Sequence, residues 1–153
     1  MNSAQIHGLM QFVAFAIIFP LGGAIALFRN SLGSWWLRAH IILQTIGTLL
    51  VFAAIVIIKW NHSHNHDSTK DVPILTELKL HRILGPIIVL LLVAQWTWAI
   101  VAKRYLSASL TWDRWLAIHM ILAVSIVGLG WVQVYLGIRM KNKAAEAKIK
   151  NEM

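Results

Sequence analysis

Four uncharged, mainly apolar runs dominate the sequence, at residues 9–28, 41–58, 83–101 and 115–138. Each approaches the roughly 20 residues that an α-helix needs to cross a hydrocarbon core about 30 Å thick. A bilayer offers no water to backbone N–H and C=O groups, so a spanning segment must satisfy its own hydrogen bonds. A barrel would show short alternating segments, whereas these runs are continuous. Composition agrees, with 58% apolar and only 13% charged residues, about half the share typical of soluble domains. The connections are short, which makes sequential helices antiparallel neighbours. The expected fold is therefore an all-α membrane protein, a four-transmembrane-helix bundle running up-down-up-down. One membrane domain, residues 1–140, accounts for nearly the whole chain, and residues 141–153 form a basic C-terminal tail.

One histidine stands near the start of each run: His7, His40, His81 and His119. Ionisable side chains in membrane segments are costly and mark functional sites by default. Antiparallel order places His7 and His81 near one membrane surface, face A, and His40 and His119 near the opposite face B. In a square bundle the first and third helices are diagonal, as are the second and fourth. Each diagonal pair presents two imidazoles across the bundle axis, which is what a bis-histidine haem requires. Ligands a turn inside each surface would put the two irons roughly 20 Å apart. Cysteine is absent, which excludes disulfides, thiolate-held clusters and C-x-x-C-H haem attachment. A haem here would be held by its axial ligands and by packing, as b-type haem is.

Gly47 and Gly85 fall near the helical faces of His40 and His81, where a macrocycle needs a position without a side chain, and Gly130 and Gly137 are expected to form a groove running from His119 toward the other site. Packing of helix on helix is the other use of such glycines. Gln44, Gln95 and Gln133 are isolated polar residues suited to interhelical hydrogen bonds. Trp35, Trp36, Trp60, Trp112 and Trp115 sit at run ends, as an interfacial aromatic belt would. Residues 1–6 carry no charged side chain, so the first run reads as a retained anchor and not a signal peptide. The longest connection, residues 59–80, is expected to be a polar loop holding His62, His64 and His66.

His7-Gly8-Leu9-Met10 followed by Phe19-Pro20-Leu21-Gly22-Gly23 resembles the first core helix of the cytochrome b561 domain, especially the DOMON-associated type. His40-Ile-Ile-Leu-Gln44 is similar to its second helix, and His81-Arg82-Ile-Leu-Gly85 with Gln95 to its third. His119 with Gly130 and Gly137 is similar to its fourth. The resemblance spans about residues 6–138. It implies two haems b per chain, with iron ligated by His7 with His81 and by His40 with His119. It implies transmembrane electron transport, commonly from cytosolic ascorbate to ferric chelate, monodehydroascorbate or a partner redox protein, the activity of an ascorbate- or ferric-reductase-like oxidoreductase. Free-standing members add a helix on each side of this core, and fused members carry a DOMON domain. The expected partners are thus membrane lipid, an anionic small-molecule donor, and a soluble DOMON-like protein or a second copy in a homodimer.

Basic residues cluster near the face-B histidines, where Arg38 and Arg114 suit a haem propionate or an anionic donor such as ascorbate. Most of the 14 basic residues belong to loops and tail, where lipid phosphate is the natural partner; no nucleic acid is expected. The positive-inside rule favours face A in the cytosol, while the family resemblance favours face B. Two other functions fit parts of the sequence. A metal-ion carrier would use the histidine-rich loop, and a structural membrane partner would use the four histidines only for helix contacts.

Overall fold

The computed structural model describes residues 1–64, 76–105 and 112–152. Among them the chain is helical almost throughout. Helix α1 (Ser3–Phe12) starts on a capping box: Gln5 N–H donates to the Asn2 side chain (2.9 Å), and Asn2 N–H donates to Gln5 Oε1 (3.0 Å). Two orphan N–H groups of the first turn are thereby satisfied. The helix thus begins well before the first apolar run.

A π-helical turn (Val13–Ile18) joins α1 to α2 (Phe19–Leu27). Pro20 explains it. Proline has no N–H for the carbonyl four residues back, and its ring crowds that oxygen. The ladder widens instead, and Phe19 N–H donates to the Ala14 carbonyl, five residues earlier. The chain then passes through a short α3 (Arg29–Leu32) and a 3₁₀ turn (Gly33–Trp35) into α4 (Trp36–His64). Gly33 has a φ of 65°, a conformation that glycine adopts without the strain a Cβ would bring. Helices α5 (Thr76–Tyr105) and α6 (Trp112–Glu152) complete the chain.

Four segments are long and apolar enough to span a membrane: Ser3–Leu27, Arg29–Trp60, Thr76–Val101 and Arg114–Ala147. The α1–π–α2 segment packs along α4, α5 packs along α6, and α1 with its π turn also rests on α6. Between α4 and α5, the indole N–H of Trp96 donates to Thr48 Oγ1 at 3.1 Å. The four-helix membrane bundle expected from the apolar runs is the fold observed.

The core is narrow and central: Ala14, Phe15 and Phe19 from the first span meet Val51, Ile88, Leu92 and Ile126 from the other three. Outward residues such as Leu49, Leu90 and Val124 stay over 60% exposed, as lipid tails are as apolar as leucine and need no protein cover. Phe15 and Phe19 contact each other at 5.3 Å between ring centroids. Their rings lie flush on glycine backbones: a Cβ on Gly130 would fall 2.0 Å from Phe15, and one on Gly47 would fall 2.6 Å from Phe19. The bare positions at these two glycines are therefore filled by phenyl rings, and of the expected groove Gly130 is covered while Gly137 has no neighbour within 4 Å of such a Cβ.

The connection expected at residues 59–80 is shorter than the apolar runs suggest. Helix α4 continues to His64 and α5 already starts at Thr76. The backbones of His62 and His64 are thus helical, and His66 lies outside the described residues. The basic tail continues α6 as far as Glu152. Its lysines, alanines and glutamates are good helix formers, so the helix has no reason to stop where the membrane does. At face A, Lys143 pairs with Glu77 at 2.5 Å, and Arg139 approaches the same carboxylate at 4.0 Å.

Candidate functional site

The histidines meet in two pairs. The rings of His7 and His81 have centroids 6.2 Å apart at an interplanar angle of 70°. Those of His40 and His119 are 6.3 Å apart at 58°. All four are partly buried. The pairs lie at opposite ends of the bundle: Gln95 touches His119, and fourteen residues of α5 separate it from His81, a distance of about 21 Å at 1.5 Å per residue.

Cross-helix hydrogen bonds fix two of the rings. His7 Nδ1 lies 2.9 Å from the Ala54 carbonyl, and His40 Nδ1 lies 2.8 Å from the Gly22 carbonyl. A carbonyl oxygen only accepts, so in both histidines Nδ1 carries a proton, and in the neutral ring Nε2 is then the nitrogen with the lone pair. That tautomer is the one needed to ligate a metal through Nε2, and such second contacts orient metal-binding imidazoles. In both cases the acceptor belongs to the neighbouring helix. Gly22 makes the approach feasible, since a Cβ there would fall 2.6 Å from the Gln44 side chain.

His81 and His119 are held through their main chains. Gln133 donates to the His81 carbonyl at 2.9 Å, and Gln95 donates to the His119 carbonyl at 3.1 Å. Gln95 Nε2 also lies 3.3 Å from His119 Nε2. Trp115 stacks on the His119 ring at 5.2 Å and 10°, and its carbonyl accepts from Trp98 at 3.3 Å. The Nδ1 atoms of His81 and His119 are buried with no hydrogen-bond partner among the described residues. Buried polar atoms are normally satisfied.

A regular spacing underlies these contacts. Gln95 and Gln133 each follow the histidine of their own helix by fourteen residues, and Ala54 follows His40 by fourteen. Gly22 follows His7 by fifteen. The additional residue is the one that the π turn absorbs, because a π turn takes in one residue more than an α turn. Each helix pair therefore exchanges two reciprocal contacts at matching heights.

The ring spacings fit two imidazoles bound to one iron. A five-membered ring with bonds near 1.33 Å has its centre about 1.1 Å from each ring atom. With metal–imidazole bonds of about 2.0–2.1 Å, two trans imidazoles have centroids about 6.3 Å apart. Both observed spacings agree with that figure. The donor set, two neutral imidazoles per site, is also the set that b-type haem takes in this geometry.

Arg38 and Arg114 lie exposed at the starts of α4 and α6, on the side of the His40–His119 pair. No group of three or more histidine, cysteine or acidic residues that could hold a metal ion occurs among the described residues. The histidine-rich loop falls outside that statement. Sequence reasoning missed Phe15, Phe19 and the stacking of Trp115. It saw the glutamines but not their fourteen-residue spacing, which the sequence displays twice.

No curated protein and no solved structure matches the chain. Residues 6–145 match the family described as eukaryotic cytochrome b561. With the four membrane helices and their paired histidines, that match makes this chain a member of the cytochrome b561 family of transmembrane b-haem electron carriers.

Proposed function

We propose that the chain carries electrons across a membrane between two b-type haems, one gripped by His7 and His81 and the other by His40 and His119. The observation that supports this best is the ring spacing of 6.2 and 6.3 Å in the two pairs. Held by His7 with His81 and by His40 with His119, haem would supply a reversible one-electron couple there. The protein's part is to fix the ligands and insulate them. His7 and His40 are locked in the ligating tautomer by Ala54 and Gly22. Phe15, Phe19 and the aliphatic core keep water from the space between the pairs. At the face-B end, Arg38 and Arg114 are placed to attract an anionic reductant such as ascorbate, as guanidinium groups bind carboxylate-like anions in a fixed fork. The acceptor at the other end is a ferric chelate, monodehydroascorbate or a redox protein docked there, whether DOMON-like or a second copy of the chain.

The test is haem stoichiometry in the protein purified in mild detergent. Two haems per chain are expected, falling to one in each of His7→Ala, His81→Ala, His40→Ala and His119→Ala. The first two variants should lose the same spectral component, and the last two the other. Grouping of His7→Ala with His40→Ala would break the pairing, and a colourless folded protein would end the proposal. Replacing Arg38 and Arg114 together by Gln should raise the ascorbate concentration needed for half-reduction without changing haem content. Unchanged ascorbate dependence would remove the two arginines from the donor site.

A further inference from the structure

Among the buried side-chain atoms without a hydrogen-bond partner in the described residues are two imidazole nitrogens and two amide oxygens at corresponding places: Nδ1 of His81 and His119, and Oε1 of Gln133 and Gln95. Each glutamine already uses Nε2 to grip the carbonyl of the histidine on the opposite helix. One unpaired imidazole nitrogen and one unpaired amide oxygen are therefore present at each haem site. His7 and His40 have their Nδ1–H on a neighbouring main-chain carbonyl, but His81 and His119 have none among the described residues.

We propose that Gln133 and Gln95 are positioning residues that set the strength of the axial ligands His81 and His119. The proposal rests on haem ligation by the two histidine pairs. A ligating imidazole must keep its proton on the nitrogen that faces away from iron, and that N–H is normally given to an acceptor. The only unpaired buried side-chain oxygens among the described residues are these two amide oxygens. The terminal torsion of glutamine is broad, so Oε1 can swing toward the imidazole as Nε2 loosens its bond to the histidine carbonyl. Accepting that proton makes the imidazole a stronger donor, which favours ferric iron and lowers the reduction potential.

The placement makes an unusual demand. Gln133 shares α6 with His119, yet it serves the His81 site at the other end of the bundle. Gln95 shares α5 with His81, yet it serves the His119 site. A glutamine that only stabilised its own helix would have no such crossed effect.

The experiment is redox titration of the two-haem protein, with electron paramagnetic resonance of the ferric low-spin signals. Components are assigned by those lost in His81→Ala and His119→Ala. Gln133→Leu should keep both haems and raise only the midpoint of the His7–His81 component, by up to about tenfold in the reduction equilibrium, or about 59 mV for one electron. Gln95→Leu should do the same to the other component alone. Should a leucine variant lose either haem, the isosteric Gln133→Glu and Gln95→Glu decide, with a lowered midpoint expected at the same crossed site. Unmoved midpoints and signals, or a shift at the site on the glutamine's own helix, or equal shifts at both, overturn it. Wild-type protein without haem would instead refute the function proposed above.

Discussion

In residues 3–64 a histidine ring reaches across to a neighbour's backbone, whereas in residues 76–152 a neighbour's side chain reaches across to the histidine's backbone. The first arrangement locks the ring tautomer and uses acceptors, the carbonyls of Ala54 and Gly22, that no substitution can delete. The second locks the helix and leaves the ring nitrogen Nδ1 to find a partner. Its donors, Gln95 and Gln133, are side chains and can be removed one at a time. Each histidine pair takes one ring from each half. The lesson is that a ligand's environment is built partly from parts that evolution can exchange and partly from parts fixed by helix packing alone.

The largest effect is expected where the halves touch. In Gly130→Leu a side chain would have to occupy the place of the Phe15 ring, since even its Cβ falls 2.0 Å from that ring. Overpacking usually costs about 1–3 kcal/mol and sometimes more, and this position has little give. Loss of more than about 3 kcal/mol is expected, read as a sharply lowered thermal midpoint by tryptophan fluorescence in detergent. Gly8→Leu, with nothing within 4 Å, should leave the midpoint in place. Equal behaviour of the two variants would show that the halves do not meet through Phe15.

Pro20→Ala comes next and addresses the fifteen-residue spacing of the first half. Alanine restores the missing N–H and lets the π turn close to an α turn, moving Gly22 out of register with His40. A loss of about 1 kcal/mol is expected, together with a change in the spectrum of the His40–His119 haem alone. An unaltered spectrum would mean that something other than Pro20 holds the wide turn.

The smallest effect belongs to the face-A end of the second half. Glu77→Gln removes the partner of Lys143 and Arg139, two cations that remain partly exposed beside a half-buried carboxylate, and such ion pairs near water are weak and screened. A slight loss of thermal stability is expected at low salt, and it should vanish as salt is raised. A salt-independent loss would show that the carboxylate does more than pair with these two cations.

What the sequence discloses tracks the physics of each element. The four spans are legible because a bilayer tolerates only long apolar helices, and the histidines stand out because an ionisable group there is expensive. Their pairing follows from antiparallel order. Gln95 and Gln133 are visible as polar residues in apolar surroundings, and the fourteen-residue spacing could have revealed their partners. The carbonyls of Ala54 and Gly22 carry no residue signature, since every residue has one. Phe15 and Phe19 look like any other apolar residue of a span until the bare backbones of Gly130 and Gly47 are seen beneath them. Helix ends were the least legible, because residues 59–64 and 141–152 are polar yet helix-tolerant and simply prolong α4 and α6.

The sealed centre of the bundle has an electrical consequence. Phe15, Phe19 and their aliphatic neighbours leave no chain of polar side chains among the described core residues along which a proton could follow. An electron passing between the proposed sites would cross unaccompanied and would carry its full charge through the membrane field, about 2.3 kcal/mol per 100 mV. Such a carrier is electrogenic: the voltage of the host membrane would speed transfer in one direction and brake it in the other. Vesicles loaded with reductant and clamped at opposite diffusion potentials would display that asymmetry directly.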